Sequence, residues 1–105
     1  MLPHTVPSTP SLLASKVKVP QHVVYRSFPT ETVVLNLQTG RYHGLNATAG
    51  HMLDALTAAN SVRDAAAALS ATYQQPQTVI EDDLCTLCAS LLERGLIETD
   101  GLPEP

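Results

Sequence analysis

The hydrophobic pattern changes period at Asn46. Before it, residues 22–28 (HVVYRSF) and 32–37 (TVVLNL) are dense in β-branched and aromatic side chains, the composition of strands. After it, Ala49, Met52, Leu53 and Leu56 recur at spacings of three, one and three, the apolar face of a helix. Strands gathered in the front half and helices in the back half do not fit alternating βαβ units with a parallel sheet. The order is that of an α+β domain, with a three-stranded antiparallel sheet followed by three helices.

Local signals place the element ends. Pro29-Thr30 joins the first two strands, and Thr39-Gly40 reads as a tight hairpin turn in which glycine supplies the positive φ. The third strand is then Arg41 to Leu45. A two-residue loop sets Leu37 opposite Tyr42 and Leu35 opposite Gly44; a slip of one residue would exchange the faces. Asn46 caps the first helix. Ser61-Val-Arg-Asp64 resembles a capping box opening a second helix through Ala65, Ala68, Leu69 and Tyr73. Thr78-Val-Ile-Glu81 is a better capping box and opens the longest helix, with Ile80, Leu84, Leu87, Cys88, Leu91 and Leu92 on its apolar face. Gly95 sits where a terminating glycine belongs. Residues 1–20, with Pro3, Pro7 and Pro10, read as a flexible tail, residues 21–98 as the folded domain, and residues 99–105 as a C-terminal tail.

Composition excludes several classes. Hydrophobic residues make up 44% and charged residues 15% of the 105, too apolar for an acidic disordered chain. No apolar run approaches the roughly 20 residues that span a bilayer, and the N-terminus lacks a signal-peptide pattern, so a cytoplasmic protein is expected. The six basic residues are scattered rather than clustered, against nucleic-acid binding. Charge is nonetheless segregated. Residues 1–45 hold four basic and one acidic residue, net +3, and residues 46–105 hold two basic and nine acidic, net −7.

Residue chemistry points away from catalysis. No Ser or Cys is paired with a recognisable base, and no metal set or phosphate-cradling loop is present. Cys85-Thr-Leu-Cys88 has CxxC spacing, but a redox pair sits at a helix N-terminus and these lie past the first turn, so buried free thiols are expected. His4, His22, His43 and His51 show no ligand spacing, and neither metal nor cofactor is expected. Glu81-Asp82-Asp83 is read as negative charge at the start of the longest helix, favoured by the macrodipole, with Asp82 and Asp83 also available to a basic peptide residue. Asn46-Ala-Thr48 matches a glycosylation sequon, which capping by Asn46 already explains.

Two segments carry a family resemblance. They are Leu35-Asn-Leu-Gln-Thr-Gly-Arg-Tyr-His-Gly-Leu-Asn46 with the following Ala47-Thr-Ala-Gly50, and Leu91-Leu-Glu-Arg-Gly-Leu-Ile-Glu98. Together they resemble the PqqD-like family, the winged helix-turn-helix-like domains called RiPP recognition elements. The form is most similar to the stand-alone leader-binding proteins of lasso-peptide biosynthesis. The resemblance covers about residues 21–98; Met52-Leu53 departs from it, where many relatives have an aromatic residue.

The resemblance implies a non-catalytic adaptor that binds the leader of a ribosomally made precursor peptide as an extra antiparallel strand beside the third strand, against the third helix. Its implied partners are that leader, a leader-removing cysteine protease and an ATP-dependent cyclase. The alternatives are a peptide chaperone for a radical SAM enzyme and a winged-helix transcription regulator. The residues themselves are compatible with strand addition. A short final strand leaves free edge groups for a guest, and the groove is expected between Arg41, Tyr42, His43, Gly44 and Leu45 on the strand and Val79, Asp83 and Leu87 on the helix. Gly44 reads either as a bulge or helix contact, or as a point of close approach by a guest backbone. Arg41 and His43 are either solvated or attract an acidic guest residue, and Tyr42 reads as a cross-strand residue.

Overall fold

Residues 9–100 are described by a computed structural model. The chain runs α1 (Thr9–Ala14), β1 (Val17–Lys18), β2 (Val23–Ser27), β3 (Glu31–Asn36), β4 (Arg41–Asn46), α2 (Ala47–Ala58), α3 (Val62–Tyr73), α4 (Gln77–Glu93) and β5 (Glu98–Thr99). Strands β2, β3 and β4 form an antiparallel sheet in that order, and β1 pairs with β5 in a separate two-stranded sheet. The α+β arrangement of three strands followed by three long helices is the one expected from the period switch at Asn46.

The sheet has a covered face and an open face. Val23, Thr32, Val34 and Leu45 are buried in alternation along their strands, toward the helices. Val24 and Tyr42, of opposite parity, are exposed on the other side. Helix α2 lies close on the covered face because Gly50 has no side chain. A Cβ there would overlap the Thr32 hydroxyl and come within 2.9 Å of Thr32 Cβ.

The hairpin register differs from the expected one. Leu35 pairs with Tyr42 and Gly44 with Val33, which leaves a four-residue loop, residues 37–40. Asn36 is the cause. Its side-chain oxygen accepts the N–H groups of Gln38 at 2.9 Å and Thr39 at 3.3 Å, and its carbonyl accepts that of Gly40 at 2.8 Å. The turn therefore starts at Asn36, and Gly40 closes it with φ 75°. The shift is two residues, so every side chain keeps its expected face.

Helix ends divide the same way. Asn46 Oδ1 accepts Ala49 N–H at 2.8 Å, and Ser61 Oγ accepts Asp64 N–H at 3.0 Å, as their cap signals imply. Thr78 does not cap the longest helix. Helix α4 begins at Gln77 after Pro76, with no side-chain cap; the Pro76 carbonyl accepts the first helical bonds, from the N–H groups of Val79 at 3.1 Å and Ile80 at 3.3 Å. Glu81 instead accepts from Gln77 Nε2 at 3.1 Å, and the acidic trio lies beyond the first turn, where the macrodipole no longer accounts for it. At the far end, Leu96 N–H bonds to Leu91 O and Gly95 N–H to Leu92 O, with Gly95 at φ 69°, a Schellman motif.

The flexible-tail expectation fails for residues 9–19. Leu12 and Val17 belong to the core at 3% and 1% exposure, and α1 packs on α3 and α4. Lys16 fixes this segment. Its Nζ donates to the carbonyls of Thr57 and Ala59 at the end of α2, both at 2.6 Å, and its N–H donates to Asp100 Oδ1 at 2.7 Å. The prolines signalled disorder, yet Leu12 and Val17 bury enough apolar surface to order the stretch. At the other end, Thr99 pairs with Val17, so the C-terminal tail does not begin there. The rest of the two expected tails, residues 1–8 and 101–105, lies outside the described residues.

Candidate functional site

The backbone of β4 defines the site. Phe28 N–H bonds to Glu31 O and Leu37 N–H to His22 O, both at 2.7 Å, which fixes the phase of the β2–β3 ladder. Residues 31, 33 and 35 therefore bond toward β2, and residues 32, 34 and 36 toward β4. Through the pairs Thr32–Leu45, Val34–His43 and Asn36–Arg41, the backbone groups of Arg41, His43 and Leu45 are used inside the sheet. Those of Tyr42, Gly44 and Asn46 point outward from an edge where no further strand lies among the described residues. The central outward-facing residue is Gly44.

Side chains along this edge divide between two faces. Arg41, His43 and Leu45 share the face toward the helices; Arg41 is exposed, His43 half-buried and Leu45 only 8% exposed. Leu45 is thus a core residue. Tyr42, 72% exposed, and Gly44 lie on the open face. Gly44 forms no bulge and no helix contact. It pairs regularly with Val33, and a Cβ built on it would meet only Glu31 Oε1, at 3.8 Å.

A concavity of about 280 Å³ begins just past the end of β4. Thr48 and Met52 of α2 and Val79, Ile80 and Asp83 of α4 line it, with Tyr73 and Gln75 at its margin. From the long helix, Val79, at 45% exposure, and Asp83 both line this concavity. Leu87 packs against the core and does not line this concavity. Sequence reasoning missed Thr48, Met52, Tyr73, Gln75 and Ile80. Met52 departs from the family pattern, but that departure bears on core packing, where Met52 belongs, and signals no site; Tyr73 had no signal, because its placement depends on His51 Nδ1, 2.9 Å from its hydroxyl, holding α3 against α2.

The open face carries a second, larger depression of about 510 Å³, lined among others by Val24, Arg26, Phe28, Val33, Leu35 and Tyr42. Its walls are mainly apolar.

Neither thiol is poised for chemistry. Cys85 and Cys88 are free and buried. Burial, followed by the charges of Asp82 and Glu81, raises the Cys85 pKa. Burial, reinforced by Cys85, pushes Cys88 up to about 12. Thiolate, the form that attacks or ligates, is disfavoured at both. Among the described residues no group of three or more His, Cys, Asp or Glu side chains is arranged to hold a metal ion, and no helix is long and apolar enough to cross a membrane.

A three-stranded antiparallel sheet covered on one face by α2, with α3 packed on α2 and α4 on α3, defines a winged helix-turn-helix-like domain. More particularly, the chain belongs to the PqqD family: residues 31–97 match the family described as Coenzyme PQQ synthesis protein D (PqqD). It is similar to the solved structure of TbiB1 in complex with the TbiA(beta) leader peptide, with 28% identity, a TM-score of 0.70, and 83% of this chain and 99% of that one covered. It is also similar to lasso peptide synthetase B1 complexed with the leader peptide, with 26% identity, a TM-score of 0.70, and 79% and 98% covered. No curated protein matches the chain. These likenesses make it a PqqD-like RiPP recognition element.

Proposed function

We propose that this chain is a non-catalytic adaptor of lasso-peptide biosynthesis. It binds the leader of a precursor peptide as a fourth strand on β4 and presents it to a leader-removing cysteine protease and an ATP-dependent cyclase, in the cytoplasm. The observation that carries this reading is the open β4 edge, where Tyr42, Gly44 and Asn46 turn their backbone groups outward over a regular six-residue strand. The two solved relatives, each in complex with a leader peptide, support the same reading.

Each backbone bond to a guest nets about 1 kcal/mol. Side-chain burial must supply the rest, at roughly 1.5–3 kcal/mol for each leucine-sized anchor. Guest residues opposite His43 and Leu45 turn their side chains toward the helices, where the concavity of Met52, Val79, Ile80 and Asp83 begins. Arg41 on the strand and Asp83 on the helix give the groove walls of opposite sign. Holding the leader raises the effective concentration of the precursor at the enzymes that cut and close it. A transcription regulator is disfavoured, because α4 carries Glu81, Asp82, Asp83 and Glu93 where a reading helix needs basic and amide side chains.

Titration with a labelled leader of the precursor encoded nearest its gene tests this. Saturable binding is expected, together with slowed hydrogen exchange at the Tyr42 and Gly44 amides. An absence of binding at high micromolar leader, or protection confined to other strands, would refute it.

A further inference from the structure

We infer that the gap over Gly44 on the open sheet face is a second, outward-facing subsite for the bound peptide, taking a large apolar or aromatic side chain. The inference rests on strand addition at β4 and extends it from the helix-facing groove to the opposite face. The guest residue hydrogen-bonded to Gly44 stands directly opposite it, with its side chain on the same face. That face is the open one, since Gly44 shares the parity of Tyr42.

Several observations agree on what fills the gap. Among the described residues only the Glu31 carboxylate borders it, with Oε1 in ordinary contact at 3.8 Å from where a Gly44 Cβ would stand. Across the strand lies Val33, and two residues back lies Tyr42, both lining the apolar depression that continues through Leu35 and Val24 to Phe28. The depression is therefore continuous with the edge on which the guest pairs. A glycine within a strand forgoes packing and weakens it; a large ring laid across an edge glycine restores that packing. The occupant is a residue of the added peptide, because a side chain opposite Gly44 enters from the edge without displacing any part of the chain.

The test uses the full chain and random peptides displayed on phage. Peptides selected on the wild type should align on one large apolar or aromatic position, one residue out of phase with the positions facing the helices. Valine at position 44 fits a strand and meets no close neighbour, so Gly44→Val fills the gap while leaving the edge backbone in place. Replacing the large residue of a selected peptide by alanine should weaken binding to the wild type about tenfold, the scale of half-burying one such side chain, and weaken binding to Gly44→Val far less. Equal losses on the two proteins, or selected peptides with no such position, would overturn the subsite. Failure of strand addition itself is a different result: no peptide is selected at all, or the selected peptide binds Gly44→Pro as well as the wild type, and the inference then falls with its premise.

Discussion

Replacing Gly50 with alanine adds a single methyl group where, of the described glycines, a Cβ would meet its neighbours most closely. The new Cβ would overlap Thr32 Oγ1 and lie 2.9 Å from Thr32 Cβ. Thr32 has little room to yield. It is 1% exposed, its hydroxyl is 2.9 Å from Ser27 Oγ, and its backbone is paired on both sides, with Ser27 and with Leu45. Two effects oppose each other. Removing a helical glycine stabilises by about 0.5–1 kcal/mol, whereas overpacking a core contact costs about 1–3 kcal/mol and disturbing the Thr32 hydroxyl loses about 1 kcal/mol more. The net expectation is a loss of about 1–3 kcal/mol. For a domain of this size each kcal/mol lowers Tm by about 4–8 °C, so a fall on the order of 10 °C is expected. Thermal and urea unfolding followed by circular dichroism measure it. The double variant Gly50→Ala with Thr32→Ala, which deletes the overlapped oxygen, should be less destabilised than the two single losses added together. A Gly50→Ala protein that melts at or above the wild-type temperature would refute the packing argument.

Other expectations follow from the same geometry. Gly44→Pro removes an outward N–H and spares the internal ladder, so it should fold normally and lose leader binding by at least about tenfold, whereas Leu45→Pro removes a ladder bond to Thr32 and should lower Tm as well; paired titration and melting distinguish them. Lys16→Met strips the Thr57 and Ala59 carbonyls of their donor and should cost about 1–3 kcal/mol in urea unfolding, while an unchanged midpoint would make that contact inert. Cys88 titrates near 12 in the folded protein against 9.0 for a free thiol, so above pH 9 the unfolded state releases its proton first. Stability should therefore fall as pH rises from 9 toward 12, and a Cys88→Ala protein should show less of that fall. Asn46→Ala should cost about 1 kcal/mol through loss of the α2 cap, read from the same melts.

What the sequence disclosed and what it hid divide along physical lines. Local chemistry was legible: the caps at Asn46 and Ser61, the terminating Gly95, and the faces of the three main strands each depend on residues within a few positions of one another. The errors came where a distant partner or a competing local bond decided the outcome. The Asn36 side chain captured the turn ahead of Thr39-Gly40. Pro76 began α4 ahead of Thr78. The ordering of residues 9–19 depends on carbonyls forty residues away and on Asp100, which no local pattern displays. The candidate site shows the same division. Residues 41–45 were legible as an edge strand, but the split of their backbone groups between the sheet and the open edge emerged only with the phase of the ladder. The same holds for the packing of Leu45 and Leu87 into the core.

That split bears on why the edge is left open at all. An exposed strand is an aggregation hazard, and folded proteins blunt it with lysine, proline, bulges or a covering element. Among the described residues strand β4 has none of these: it runs six residues in regular pairing, with glycine at its centre and Arg41 as its one full charge, at the hairpin end. The chain does have a segment able to cover an edge, but β1 is paired with β5, where Lys16 closes the end of α2. Among the described residues nothing covers the β4 edge, and the net charge of −4 opposes its pairing with a second copy. A binding strand would remove the hazard by satisfying the Tyr42, Gly44 and Asn46 groups together. The features that leave the free edge vulnerable, regular pairing and the absence of a side chain at Gly44, are the ones a guest strand needs.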